Sequence, residues 1–295
     1  MRTFTFKGLF LTAVFMLLGC LSIQAAADDL ITQQITIKLD KAGTLPEKIE
    51  SSKKYKITNL KIIGEINGTD LRMIREMAGS NYHGDSTEGK LSVLDLSEAK
   101  IVAGGDSYFD GYSGQEKYYT SNDEIGDYAF SSCSGLTSLT LPSGIIKIGA
   151  GAFGSCSGLT KLALPSSITE IGTEAFYECR GLTNLTLPAG VIEIGASAFE
   201  NCGNLTSLTL PSGITKIEGG TFGNCRSLTE LTLPSGITEI GNNAFSSCSG
   251  LTSLTLPSGI TKIGDAAFNK CIYSLITNHN LLRLTKHKAL IFNTL

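Results

Sequence analysis

From residue 125 to residue 271 the apolar and polar positions recur with a fixed period of 23 residues. One period reads LxxLxLPxxIxxIGxxAFxxCxx, as in the stretch that begins Leu251-Thr252-Ser253-Leu254-Thr255-Leu256-Pro257. Leu254 and Leu256 alternate with Ser253 and Thr255, which predicts a short strand with leucines inward and hydroxyls outward. Pro257 has no N–H for a ladder and ends the strand. Ile260 and Ile263, then Ala267-Phe268 and Cys271, follow at spacings of roughly one helical turn. They predict a short helical or 3₁₀ segment with those residues inward, and Gly264 eases the bend into it.

The period is kept by Cys133, Cys156, Cys179, Cys202, Cys225, Cys248 and Cys271, and by Phe130 through Phe268 three residues ahead of each. Ile125 to Ile263 and Pro142 to Pro257 keep it too. A single unit has one apolar side and cannot bury it alone, whereas stacked units share a core. Separate βαβ units are excluded, since a 23-residue period has no room for their crossover. The fold expected is a solenoid, with parallel strands on the concave face and short helical or 3₁₀ turns on the convex face.

The flanks carry weaker forms of the pattern. Leu91, Leu94 and Leu96 repeat the LxxLxL spacing without the proline, and Ile57, Leu60 and Ile62 repeat it again. Between them, residues 70–77 predict an amphipathic helix with Leu71, Ile74 and Met77 inward, capped at Thr69 or Asp70 and ended by Gly79. Residues 28–123 read as an N-terminal cap continuous with the array of residues 124–271; an independent N-terminal domain is the competing reading. Beyond Cys271 no further LxLP arrives, and residues 272–295 read either as an atypical cap or as a degenerate end.

The repeat unit resembles the 23-residue leucine-rich repeats of the Bacteroides surface antigen type, the BspA-like or Treponema-type class. The LxxLxLP, IG, AF and C positions all match over about residues 125–271, with Glu218 and Thr221 departing where other copies have Gly and Ala. The resemblance implies a leucine-rich-repeat fold, a gut or oral Bacteroidetes source, and adhesion to host matrix proteins such as fibronectin or fibrinogen, or to other bacteria.

The first residues hold Arg2 and Lys7, an apolar run over residues 8–19 and Ala25-Ala26-Ala27, the pattern of an export signal over residues 1–27. The run is too short to span a bilayer. A second reading takes Leu17-Leu18-Gly19-Cys20 as a bacterial lipobox, with lipidation at Cys20 and membrane contact through that anchor alone. Both readings take the chain out of the cytoplasm, to a secreted, outer-surface or periplasmic location. Without Arg2 and Lys7 the chain carries 22 Lys and Arg against 27 acidic residues, a formal net charge of −5. Such a balance gives no footprint for nucleic acid.

Seven periodic cysteines in an exported chain raise disulfides first. Each, however, occupies the same inward position, with Cβ vectors pointing one way, which is poor bridging geometry. Buried free thiols are expected, and no CxxC supports a metal site. His83, His279 and His287 lie outside the regular array, and no set of residues suggests a triad. Glu230 and Glu239 suit a solvated face better than a cleft. The expectation is a non-enzyme without cofactor.

Two places are candidates for contact. Residues 104–123 interrupt the repeat and hold Tyr108, Phe109, Tyr112, Tyr118 and Tyr119 among glycines and polar residues. They read either as packing over the edge of the cap or as a recognition loop. The outward strand positions form one column of Thr140, Ala163, Thr186, Thr209, Thr232 and Thr255, and a second of Ser138, Lys161, Asn184, Ser207, Glu230 and Ser253. Threonine favours strands without any ligand, and the broken second column argues against an ice-matching lattice. Thr186, Thr209 and Thr232 are the candidates on this face. The function expected is binding of a host matrix or cell-surface protein, with a glycan as alternative ligand and a structural envelope role as alternative function.

Overall fold

The structure is a computed structural model that describes residues 29–111 and 113–271. The chain enters through β1 (Ile35–Lys38), α1 (Leu45–Lys48), β2 (Asn59–Ile66), α2 (Gly68–Met77), β3 (Val93–Ile101) and the hairpin β4 (Gly104–Phe109) and β5 (Tyr118–Thr120). From there two kinds of short strand alternate: β6 (Glu124–Ile125), β7 (Ser138–Thr140), β8 (Lys147–Ile148), β9 (Lys161–Ala163), β10 (Glu170–Ile171) and β11 (Asn184–Thr186). The alternation continues through β12 (Glu193–Ile194), β13 (Ser207–Thr209), β14 (Lys216–Ile217), β15 (Glu230–Thr232) and β16 (Glu239–Ile240), after which β17 (Lys262–Ile263) is again of the short kind.

Strands β7, β9, β11, β13 and β15 carry the LxL pattern. Of these, β7 with β9, β11 with β13 and β13 with β15 pair in parallel through equivalent residues, such as Leu185 with Leu208 and Leu208 with Leu231. One sheet runs β1-β2-β3-β7-β9, so the irregular front strands and the first repeats share a ladder. A second sheet, β11-β13-β15, continues the same face. A narrower ladder lies where the repeat reads x-Ile: Lys147, Glu170 and Glu193 pair in sequence, as do Ile148, Ile171 and Ile194. This ladder has no strong period-two signal, because each strand is only two residues long.

The third side of the coil differs from expectation. Neither α-helix nor 3₁₀-helix forms around the Ala-Phe-Cys segment, and the chain makes consecutive turns instead. Two positions per coil take left-handed backbone, as at Tyr128 and Ser132, Glu174 and Glu178, Ser197 and Asn201, and Asn243 and Ser247. Left-handed residues break a right-handed helix at both ends of the segment. Their peptide groups instead bond to the following coil: Tyr128 N to Ala150 O (2.8 Å), Phe130 N to Ala152 O (2.7 Å) and Ser132 N to Gly154 O (2.8 Å). On this side each coil is thus tied to the next through its turn peptides.

The IG glycine serves close approach between coils rather than a bend. A Cβ on Gly172 would lie 2.7 Å from the Ala150 N of the preceding coil. Glu218 occupies that position in one copy, beside Gly219 and a left-handed Gly220. There the Thr221 hydroxyl turns inward and donates to Glu218 O at 2.9 Å.

Inside, Phe130 to Phe268 form a continuous stack with centroid steps of 5.2–5.7 Å and planes within 12°. This spacing suits offset stacking of aromatic rings. The seven array cysteines are free and buried. Each thiol from Cys156 onward donates to the Phe carbonyl of the coil before, for instance Cys202 Sγ to Phe176 O at 3.1 Å. The position therefore selects a small apolar group that also has a donor.

Helix α2 begins earlier than expected. Asn67, not Thr69 or Asp70, is the N-cap; its side chain accepts from Thr69 N, and Asp70 reaches back to Asn67 N in a capping box. Asp70 is fully buried and also accepts from Gly43 N (2.5 Å) and Leu45 N (2.8 Å), so one carboxylate ties α1 to α2. Leu71, Ile74 and Met77 face the core as the periodicity predicts.

Candidate functional site

The surface best built for contact is the wide face formed by β7, β9, β11, β13 and β15. Its inward leucines are fixed by the core, so the intervening residues must project outward. Thr186, Thr209 and Thr232 are direct register partners on β11, β13 and β15, and all three are exposed.

The threonines of this face fall into two groups. Thr137, Thr160, Thr206 and Thr229 donate their hydroxyls to carbonyls of the preceding coil at 2.9–3.3 Å. Those hydroxyls are committed to the fold. Thr186, Thr209 and Thr232, by contrast, make no side-chain hydrogen bond among the described residues. Two shallow hollows open on the face. One, about 550 Å³, is lined by Ser138, Thr140, Lys161, Asn184, Thr186 and their neighbours; the other, about 530 Å³, is lined by Glu230, Thr232, Ser253, Thr255 and their neighbours. The first hollow lies where the sheet is interrupted, since no ladder joins β9 to β11. Leu162 and Leu164 are only partly buried there. At the cap end the face becomes charged, with Lys61 bonded to Glu98 (2.6 Å) and 3.5 Å from Asp95.

The aromatic segment is a hairpin, and most of its described rings point inward. Tyr108 and Phe109 are each 1% exposed, which removes both as contact residues. Tyr118 is half-buried, 5.8 Å from Phe109 and 5.1 Å from Tyr128 between ring centroids, and its hydroxyl donates to Glu116 at 2.6 Å. Tyr119 is 51% exposed and stays available. Tyr112 and Cys20 lie outside the described residues, as do the export segment and residues 272–295.

The buried rings have a structural task. In the turn ladder, each coil's carbonyls accept from the coil before it; the first coil has no such predecessor. Its Asp127 carbonyl accepts instead from the Tyr108 hydroxyl at 2.8 Å, and its Ala129 carbonyl from Arg75 at 3.1 Å. Arg75 is fully buried on α2, donates also to Tyr128 O at 2.7 Å, and lies 4.9 Å from the Phe109 ring centre. Burial pushes the Tyr108 hydroxyl well above the usual tyrosine range, so it stays a donor. Sequence reading missed Arg75, because an arginine on an amphipathic helix ordinarily reads as its solvated side.

Parallel strands of a short repeat, stacked on a shared Phe and Leu core, define a leucine-rich-repeat solenoid. The profile of the BspA type leucine rich repeat region matches residues 106–228 and again 169–292, and the chain belongs to that family. Its members are typically protein-interaction or surface modules, and no catalytic family is indicated. A leucine-rich repeat protein of T. pallidum is similar at 30% identity, over 57% of this chain and 78% of that one, with a TM-score of 0.53. A leucine-rich repeat protein from Bacteroides ovatus is 25% identical over 61% of this chain and 46% of that one, with a TM-score of 0.42. No curated protein matches the chain in sequence. Among the described residues no helix is long and apolar enough to cross a membrane, and no group of His, Cys, Asp and Glu is placed to hold a metal ion.

Proposed function

We propose that the chain is an exported surface module that binds a host matrix or cell-surface protein through its wide sheet face. The observation that carries this reading is the row of exposed, uncommitted hydroxyls at Thr186, Thr209 and Thr232, held in register on a rigid parallel ladder. Hydroxyls repeated at the rung spacing offer donors and acceptors across an extended surface. The face carries few charges, so the partner is recognised by shape and hydrogen bonding more than by electrostatic steering. Burial of Tyr108 and Phe109 removes the best aromatic platform for stacking a sugar, which favours a protein over a neutral glycan.

The test is a binding screen of the purified full chain against arrayed matrix proteins, cell-surface proteins and polysaccharides. Saturable retention of one or a few proteins is the expected result. Silence across a broad protein array would sink the reading and favour a structural role in the envelope.

A further inference from the structure

A second surface is independent of the wide face. At the corner where the turns lead back to the strands, position 134 of the repeat is Ser in three copies: Ser134, Ser157 and Ser249. In the other described copies it becomes Arg180, Gly203 and Arg226 in sequence. Two guanidinium-bearing side chains thus flank a coil that has no side chain at this position. A Cβ on Gly203 would meet nothing within 4 Å, so the notch is open to solvent. Phe-to-Phe steps of 5.2 and 5.7 Å along these coils set the two arginines two rungs apart. That is on the order of 10 Å, a gap that two long side chains can close around one anionic group.

The notch is a hollow of about 400 Å³, within the range of small-ligand sites. Asn201, Asn204 and Asn224 complete its lining. The Asn204 amide donates to Arg180 O at 2.7 Å, which fixes it beside the arginine and leaves its side-chain oxygen to the notch as an acceptor. Asn201 and Asn224 occupy left-handed positions, where asparagine is favoured for backbone reasons. Neither arginine has such a reason: both are exposed, and neither packs into the core. Arg180 lies 3.3 Å from Glu178, while Arg226 has no acidic partner among the described residues. Asn224 also lines an adjoining hollow of about 350 Å³ with Gly219, Gly220, Gly223 and Glu200. The polar trough thus continues past the arginines for uncharged sugar hydroxyls, while the Glu200 carboxylate confines the anionic group to the arginine notch.

We infer that this trough binds an acidic glycan, with a carboxylate or sulfate held between Arg180 and Arg226 and sugar hydroxyls on the asparagine amides. Guanidinium matches the planar or tetrahedral oxyanion with paired donors. Amides both donate and accept, which suits hydroxyl groups better than the carboxylates of an acidic peptide.

The experiment is a calorimetric titration of the full chain with heparin-derived oligosaccharides, oligogalacturonate and neutral dextran. Arg226→Gln and Arg180→Gln are compared with Lys161→Gln, which removes the same charge from the wide face. Thermal unfolding checks that each variant keeps its fold. We expect saturable binding of at least one acidic sugar, with the two acidic arms separating sulfate from carboxylate recognition. Arg226→Gln should weaken it about tenfold, the loss of one charge-assisted contact, while Lys161→Gln changes it less than about twofold. Absence of saturable acidic-sugar binding would overturn the inference. So would equal weakening by all three substitutions, or displacement by polyglutamate as effective as displacement by the sugars.

Discussion

At the scale of single residues, the array thiols act as small donors sealed in the core. Burial pushes Cys133 up to about 11 and Cys202 up to about 12. Because the folded-state values lie above those of the unfolded chain, the folded state keeps protons that the unfolded state releases. The stability this provides is complete below the unfolded thiol range and is lost as pH rises from about 9 toward the folded values. The urea midpoint should therefore hold through neutral pH and fall steeply above about pH 9. Cys202→Ala should soften that alkaline slope while costing about 1–2 kcal/mol at pH 7, from a lost bond and a small void. A thiol reagent should leave the native array unlabelled at pH 7; rapid labelling of all seven would refute the burial argument. These cysteines were legible in sequence because a fixed period next to Phe places them inward whatever the backbone does. The fate of Tyr108 was not, since a ring among glycines gives no sign of which way a hairpin folds.

The element scale shows where the repeat is strong and where it loosens. Strands β11, β13 and β15 exchange full ladders, but β9 and β11 do not. Amides over residues 183–186 should thus exchange with solvent faster than their equivalents over residues 206–209. Exchange measured by mass spectrometry on overlapping peptides decides this; equal protection in both coils would show that the ladder closes in solution. The LxL strands were readable from alternation alone. The two-residue ladder of β8, β10 and β12 was not, because two residues cannot display a period. Nor was the turn geometry, since its left-handed positions are filled by Ser, Glu, Asn and Tyr as well as Gly. The spacing of Ile, Ala-Phe and Cys looked like a helical turn. Bonds within the segment, such as Ser131 N to Tyr128 O and Cys133 N to Phe130 O, instead alternate with bonds to the next coil, and the left-handed residues between them stop a helix.

For the whole molecule, the first coil's open edge is closed by side chains from the irregular front segment. Arg75→Met would strip donors from Tyr128 O and Ala129 O at a buried site, with an expected loss of about 3 kcal/mol. Tyr108→Phe removes a single donor from Asp127 O and should cost about 1–2 kcal/mol. Chemical denaturation of both variants measures this directly; changes within about 0.5 kcal/mol in both would mean that the edge needs no such closure. The solenoid itself was plain from the 23-residue period. The closure was hidden because it depends on contacts between residues 53 and 54 apart, which no local pattern encodes.

The same architecture presents the wide face as an ordered row of outward polar side chains. Its role is tested most directly by the affinity of Thr186→Lys/Thr209→Lys/Thr232→Lys, compared with the unsubstituted chain, for the protein retained in the screen. Each substitution lies on an exposed outward position, so the thermal midpoint should stay close to that of the parent. Three long, charged side chains across the contact should weaken binding by more than about a hundredfold. Unchanged affinity in the folded triple variant would contradict the account and place the contact elsewhere on the molecule.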